Sequence, residues 1–297
     1  MSKICKDDRR CHIFRVYLRC YVVFLTVKGL FLRMKYGFIL TGDPNDLVEL
    51  AQEAETAGWD GVFLPDDWMS AWIKLTAIAM RTHTLLLGTM LTPLPEQFPW
   101  YVAAQTAILD QLSQGRVILT AGLGVLELDK FGMQENKVRA QRLDEALELL
   151  ERWWSGEDMR SFLYEGRHYR LQQMSADVSW PTHTPWQKPR IPIWVIGGPK
   201  QSQLRRAARW DGAVVNGTPD ELRERITAIQ VLRTSSGALD IIIEGETPHD
   251  DIGRSVALVQ PYVEAGATWW LESMWESAVP RPYDMRTRIR SGPPRVS

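Results

Sequence analysis

The chain has 297 residues, 45% hydrophobic and 24% charged, with a net charge of −1. Such a length and composition fit one large globular domain with a well-buried core. The near-neutral balance gives no global attraction to nucleic acid or to an anionic membrane surface.

Residues 1–33 stand apart from the rest of the chain. They carry eight Lys/Arg against two Asp/Glu, which makes the segment +6 and the remainder −7, and they hold all three cysteines, Cys5, Cys11 and Cys20. The apolar run Tyr21–Leu32 is broken by Lys28 and is too short to span a bilayer. Basic residues ahead of an apolar run resemble a signal peptide, but no small-residue cleavage site comes after them. Met34 directly precedes the first regular element, so 1–33 reads as an extension, either a disordered arm or a misassigned start, and 34–297 as the folded domain. That domain has no cysteine, hence no disulfide framework and no thiol chemistry, which fits a cytoplasmic protein.

From Met34 onward a short β-rich run and then an amphipathic run repeat eight times. The first strand is Met34–Leu40. Asp43-Pro44 then caps a helix with Leu47, Leu50, Ala54 and Ala57 at helical spacing, and Gly58 stops it. The second strand, Gly61–Leu64, runs into Pro65-Asp66-Asp67-Trp68. A helix near Ile73–Arg81 leads to the third strand, Leu85–Thr92. A helix near Trp100–Leu112 closes on Gln114-Gly115 before the fourth strand, Arg116–Gly124.

The fourth helix is the clearest: Leu143, Ala146, Leu147, Leu150 and Trp154 form one apolar stripe, with Arg139, Arg142, Asp144, Glu145, Glu148 and Glu151 around it, and Gly156 ends it. Next comes an insertion, Glu157–Arg190, with a hairpin of Phe162–Tyr164 and His168–Leu171 turning at Glu165-Gly166. The remaining strands are Ile191–Gly198, Gly212–Asn216, Leu239–Glu244 and Ala267–Met274. A helix starts at Thr218-Pro219, and another carries Ile252, Val256, Val259 and Val263. Strands alternating with helices predict a parallel sheet covered by helices, and eight units predict a closed (β/α)8 TIM barrel. Its site then lies at the C-terminal ends of the strands, where a long insertion is placed to cover it.

The rim residues narrow the chemistry. Gly122-Leu123-Gly124 begins like a dinucleotide fingerprint, but the third glycine is missing and Glu127 comes after it, which argues against a Rossmann site. At a barrel rim the same glycines let backbone approach a ligand. Gly197-Gly198, with Pro199 and Lys200 next, is either a tight turn or a phosphate site built on a helix N-terminus. Asp66 and Asp67 are either helix caps or a carboxylate pair for proton transfer. Glu244, Glu246, Glu272 and Glu276 lie near the ends of the last two strands. The 13 Trp divide between core packing and an aromatic-lined pocket. No metal-ligand spacing and no nucleophile elbow is present, so an organic cofactor is the expected source of chemistry.

Six stretches, taken in order, resemble the luciferase-like monooxygenase family of flavin-dependent oxidoreductases. They are Ala54–Asp66, Leu87–Pro95, Leu109–Gly124, Gln141–Gly156, Tyr164–Leu171 and Pro189–Gly198. The resemblance implies a (β/α)8 barrel that binds FMN or the deazaflavin coenzyme F420 at its rim. It implies hydride or oxygen transfer to a small organic substrate, a flavin reductase partner where the cofactor is FMN, and a homodimer. Matched position by position, Thr89, Met90 and Thr92 would lie beside the ring, Gly122 and Gly124 at the fourth rim, and Gly197 and Gly198 near the cofactor tail; Lys200, on the reading of the residues themselves, would be the counter-charge to a phosphate there. Asp66 and Asp67 match the family's Asp-His pair, the candidate catalytic residues. Asp67 replaces the usual His, and a carboxylate there repels an anionic reduced ring. The loops Asp67–Trp72 and Val125–Phe131 are shorter than the family's. Two rival readings stand beside this one: a non-catalytic flavin-binding barrel, and a cofactor-free hydrolase or lyase using Asp66, Glu244 and Glu272.

Overall fold

The computed structural model describes residues 33–66, 69–124, 135–157, 163–172, 183–275 and 284–296. In chain order the elements are β1 (Lys35–Ile39), α1 (Pro44–Thr56), β2 (Gly61–Leu64), α2 (Ala71–Ala79), β3 (Leu86–Thr89), β4 (Thr92–Pro93), α3 (Pro99–Leu112), β5 (Val117–Gly122) and α4 (Asn136–Trp154). Then come β6 (Tyr164–Glu165), β7 (Arg170–Leu171), β8 (Ile193–Ile196), α5 (Gln201–Arg209), β9 (Gly212–Val214), α6 (Pro219–Leu232), β10 (Asp240–Gly245), α7 (Ile252–Ala265), β11 (Trp269–Ser273) and α8 (Met285–Arg290). Strands β1, β2, β3, β5, β8, β9, β10 and β11 pair in that order, all parallel. The ring closes where Lys35 of β1 meets Trp269 of β11. This is the (β/α)8 TIM barrel expected from the alternating runs. Among the described residues no helix is long and apolar enough to cross a membrane.

Local chemistry starts the helices where the sequence places them. Asp43 accepts the Asn45 N–H at 2.8 Å ahead of Pro44. Thr218 and Glu221 cap each other's backbone ahead of α6. Gly266 ends α7 in the left-handed region at φ 105°.

Alternation along the strands decides what fills the barrel. Ile39, Phe63, Met90, Ile118, Trp194, Val214, Ile242, Trp269 and Leu271 form one inner cluster, separate from the larger core between strands and helices. Phe63 stacks on Trp194 at 5.4 Å, and Trp269 meets both edge-on at 5.9 and 5.1 Å. Glycines on neighbouring strands make room for these rings. A Cβ at Gly37 would lie 2.7 Å from Phe63 and 2.6 Å from Leu271; one at Gly88 would lie 2.6 Å from Phe63. One at Gly212 would collide with Trp194.

Two expectations change in detail. The third run divides into β3 and β4 at Met90-Leu91, whose peptide is cis. There Met90 turns into the barrel cluster while Thr92 joins β5 opposite Ala121. The hairpin turns at Gly166–Tyr169 rather than at Glu165-Gly166, because Glu165 pairs with Arg170. The cause is Glu145 of α4, whose carboxylate accepts the N–H groups of Arg167, His168 and Tyr169 at 2.9–3.1 Å. Phe162 lies outside the described residues.

The tryptophans also resolve. Trp194 and Trp269 are inside the barrel, and Trp59, Trp72, Trp154, Trp210 and Trp270 are buried between strands and helices. The aromatic-pocket expectation therefore fails for these seven; they are packing residues.

At the amino-terminal end of the barrel, Asp240 accepts from the Trp194 indole and the Thr268 hydroxyl, both at 3.2 Å. Burial pushes its carboxyl above the usual range, against the pull of Lys35 and these donors. Such a group favours the folded state most when protonated, and that contribution is lost as pH rises through its raised folded pKa. Asp240→Asn should therefore gain stability relative to the parent between pH 4 and pH 7 in urea unfolding. A loss over that range would mean that the attraction to Lys35 outweighs burial. Gly37→Ala should cost about 1–3 kcal/mol by overpacking. Gly253→Ala, on open helix surface where the nearest atom to a Cβ is 3.4 Å away, should instead add about 0.4–1 kcal/mol.

Candidate active site

The C-terminal ends of the strands carry the candidate residues. Asp66, just after β2, is 7% exposed. One of its oxygens accepts the N–H of Ala71, the first residue of α2, at 3.2 Å, and the other accepts from Gln97 Nε2 at 2.8 Å. Its carboxylate thus starts α2 and ties it to the turn before α3. Asp67 lies outside the described residues.

Thr89 and Thr92 are fully buried. The Thr92 hydroxyl donates to the Thr89 hydroxyl at 2.9 Å, and Thr89 donates to the Thr120 carbonyl at 3.3 Å. They pin the β3–β4 break to β5 and offer no free group to the mouth. Met90 does face inward, with Ile118, Val214, Ile242 and Leu271 forming an apolar floor. The Leu91 side chain lies across Gly122, where a Cβ would come within 2.7 Å of it.

Gly124 sits at φ 80°, and a Cβ there would lie 2.8 Å from both Glu96 Oε1 and Pro93 Cβ. Its bareness leaves room for an ion pair. Arg139 of α4, 3% exposed, meets Glu96, 16% exposed, at 2.5 Å and also donates to the Leu123 carbonyl. Burial pushes the Glu96 carboxyl up, Arg139 pulls it down, and Asp66 adds a smaller upward push. The expectation that Arg139 belongs to the polar edge of α4 is corrected. It continues the stripe of Leu143, Ala146, Leu150 and Trp154, at the four-residue step that was visible in the sequence.

At the fifth rim, the Gly197 N–H donates to the Val214 carbonyl at 2.9 Å and extends the β8–β9 pairing. Gly198 lies under the Gln203 amide, which a Cβ would meet at 2.5 Å, and the same amide oxygen accepts the Lys200 N–H at 3.2 Å. Close packing thus accounts for both glycines. It also sets the first turn of α5, a natural anion-binding end, beside the mouth. The Lys200 side chain is exposed.

Two features, the Thr120 hydroxyl and the Glu96–Arg139 pair, escaped the sequence-based choice. The Thr120 hydroxyl is buried, two residues on from inward-facing Ile118, and has no hydrogen-bond partner among the described residues. Glu244, two residues on from inward-facing Ile242, faces the mouth and accepts from the Trp275 indole. Glu272 takes the opposite side of its strand. It is fully buried among the helices, accepting from the Thr247 N–H at 2.6 Å, the Thr247 hydroxyl at 2.8 Å, the Trp270 indole at 3.0 Å and Arg288 at 3.3 Å. The trio of Asp66, Glu244 and Glu272 therefore does not converge, which removes the geometry a cofactor-free hydrolase needs. A surface depression lined by Glu49, Gln52, Glu53, Thr56, Ala57 and Arg290 lies on α1 and α8. It is occupied by ion pairs of Glu53 with Arg286 and Arg290 and holds none of the rim residues.

A family model described as luciferase-like monooxygenase matches residues 29–246. The chain belongs to the luciferase-like monooxygenase family. Among curated relatives, an F420-dependent glucose-6-phosphate dehydrogenase of Microbacterium testaceum is 31% identical over 189 residues, 58% of this chain and 53% of that protein. One from Mycobacterium tuberculosis is 29% identical over 236 residues, 71% of this chain and 66% of its own length. The chain thus spans about half the length of the Microbacterium testaceum relative and of two others of the same description. Among solved structures, the coenzyme F420 dependent tetrahydromethanopterin reductase of Methanopyrus kandleri superposes with a TM-score of 0.70 at 18% identity, covering 87% of this chain and 97% of that one. A monooxygenase from Streptomyces bottropensis gives 0.69 at 19%, covering 87% and 96%. These two likenesses establish the luciferase-like barrel fold.

In this luciferase-like barrel the Glu96–Arg139 pair fixes the fourth rim. Breaking a buried pair from one side leaves an uncompensated charge, so Arg139→Met should cost about 3–5 kcal/mol in chemical denaturation. Adding Glu96→Met should recover most of that loss, giving a large coupling energy in the double-mutant cycle.

Proposed function

We propose that this chain is an F420-dependent oxidoreductase acting on a small organic substrate such as a sugar phosphate or an alcohol. The observation that carries this reading is the run of relatives at 29–34% identity that are F420-dependent glucose-6-phosphate dehydrogenases. FMN, with reduced flavin supplied by a partner reductase for monooxygenation, is the second reading, favoured by the family to which the chain belongs. The described residues fit a ring bearing a phosphate tail: an apolar floor under Met90, an orphaned Thr120 hydroxyl below the rim, and the first turn of α5 beside the mouth.

Either cofactor, when bound, supplies a ring that accepts or donates hydride. The chain's own residues would orient it and exclude water. Leu91 on Gly122 and Met90 give the ring an apolar wall, while the α5 N–H groups, with Lys200 near, hold an anionic tail. Glu244 is a carboxylate at the mouth that can take a proton from a substrate hydroxyl, and Asp67 is proposed for the same role from its match to the family's Asp-His pair alone. We also place the protein in the cytoplasm, on the absence of cysteine from the folded domain.

Fluorescence titration with F420 and separately with FMN tests the reading. Saturable F420 binding, then loss of F420 absorbance when sugar phosphates or alcohols are added, is expected. Saturable FMN binding alone would shift the assignment to a reductase-fed monooxygenase. Binding of neither at high micromolar concentration would favour a non-catalytic barrel. Asp67→His restores the residue that the family carries at that position. It should raise turnover with little change in cofactor affinity; unchanged turnover would remove position 67 from the catalytic set.

A further inference from the structure

The last inward positions of the strands decide which charges the mouth can accept. Stepping by two from the inner cluster, they include Thr120 on β5, Ile196 on β8, Glu244 on β10 and Ser273 on β11, with Met90 beside them. Of these five residues, Glu244 alone carries a charge, and it is half-buried. Its carboxylate accepts from the Trp275 indole. A carboxylate has about four acceptor sites, so one donor leaves most of that capacity for a ligand. No Lys or Arg among the described residues pairs with it.

The basic residues that come after the strand ends are placed elsewhere. Arg139 is buried against Glu96. Arg225 donates to the Asn216 carbonyl and meets Glu221 at 3.9 Å. Arg254 is exposed in the first turn of α7. Lys200 stands at the start of α5, the end given above to the cofactor's anionic tail. Among the described residues the inner mouth is therefore negative and holds no counter-ion.

That charge separates two kinds of hydroxy compound. A phosphate ester brings nearly two negative charges at neutral pH. Near a half-buried carboxylate these repel more strongly than in bulk water, and no inward cation offsets the hydration they lose. An uncharged hydroxyl gives up far less hydration and donates to Glu244 in a charge-assisted bond. The Thr120 hydroxyl, fully buried, inward and unpartnered among the described residues, offers a second neutral contact.

We propose that the substrate of this barrel is an uncharged hydroxy compound and that Glu244 is the residue that turns phosphate esters away. The inference rests on the oxidoreductase reading of the mouth and narrows its substrate class. It sets the chain apart from the F420-dependent glucose-6-phosphate dehydrogenases to which it is similar.

Two matched pairs test it: glucose with glucose 6-phosphate, and glycerol with glycerol 3-phosphate. Turnover is read as loss of F420 absorbance, and binding of each ester to the full chain is read by calorimetry, with and without F420. The parent should favour the unphosphorylated member of a pair by about tenfold or more in kcat/KM, and should show no saturable ester binding at millimolar concentration. Glu244→Gln keeps an acceptor for the Trp275 indole and removes only the charge. It should lower kcat for both members but narrow the gap in KM about tenfold. Glu244→Lys, with unchanged far-UV circular dichroism, should bind both esters saturably. A parent that binds or turns over an ester better than its unphosphorylated partner would overturn the proposal. So would a Glu244→Lys protein that gains no ester affinity. Failure of the parent to bind F420 would count against the oxidoreductase reading, while the calorimetric comparison of parent and Glu244→Lys would still decide the role of Glu244.

Discussion

Everything else in this molecule is arranged around three aromatic rings in the middle of the barrel. Phe63, Trp194 and Trp269 come from strands β2, β8 and β11 and touch one another at the axis. A closed eight-stranded sheet has an interior just wide enough for side chains to fill. Here a few very large residues fill it, and Gly37, Gly88 and Gly212 stand opposite. Large and small are matched across strands far apart in sequence, so the barrel closes in one register only. A slip of one residue would turn each ring to the helix side and bring a neighbour inward.

A filled interior has a functional consequence, because ligand chemistry has no room below the rim. Above the rings the floor is made of Met90, Ile118, Val214 and Ile242, and polar groups appear only at the last inward positions. Around this floor, residues from different elements fix each rim segment from behind. Asp66 holds α2 to Gln97, Thr92 holds Thr89, and Arg139 holds Glu96 to the Leu123 carbonyl. Several groups that read as ligand contacts in the sequence are thus the supports of the mouth. A site supported in this way keeps its geometry when a ligand arrives, which is what positioning chemistry requires.

The fold was legible in the sequence because its signals are local and repeated. Period-two runs of apolar residues, Asp-Pro and Thr-Pro starts and Gly stops recur along the chain, and each unit confirms the others. The site was less legible, for a physical reason. A rim residue's role depends on whether it points inward or outward, which shifts with a single residue at the end of a strand. Glu244 and Glu272 both lie near strand ends and are both acidic, yet one faces the mouth and the other the helices. Thr89 and Thr120 are likewise similar in sequence, but one hydroxyl is satisfied and the other is not. Arg139 was the exception that spacing could have revealed, since it falls on the apolar stripe of its own helix.

The C-terminal part of the chain lies beyond the family match, which stops at residue 246, yet the barrel cannot close without it. Strand β11 must pair with both β10 and β1, and a buried ion pair holds it in place. Arg288 of α8, 1% exposed, donates to Glu272 and to the hydroxyl and carbonyl of Thr247, and lies over the Trp59 ring. Trp59 in turn donates from its indole to the Ile289 carbonyl at 3.0 Å. Burial pushes the Glu272 carboxyl up, and Arg288 with the three neighbouring donors pulls it back. Such a pair adds little net stability over an apolar core of the same shape. What it supplies is selectivity: only one placement of α8 satisfies Glu272, Thr247 and Arg288 together, and that placement covers the seam between the first and last strands. The carboxylate that the sequence offered as a candidate for chemistry is better understood as the group that decides where the barrel closes.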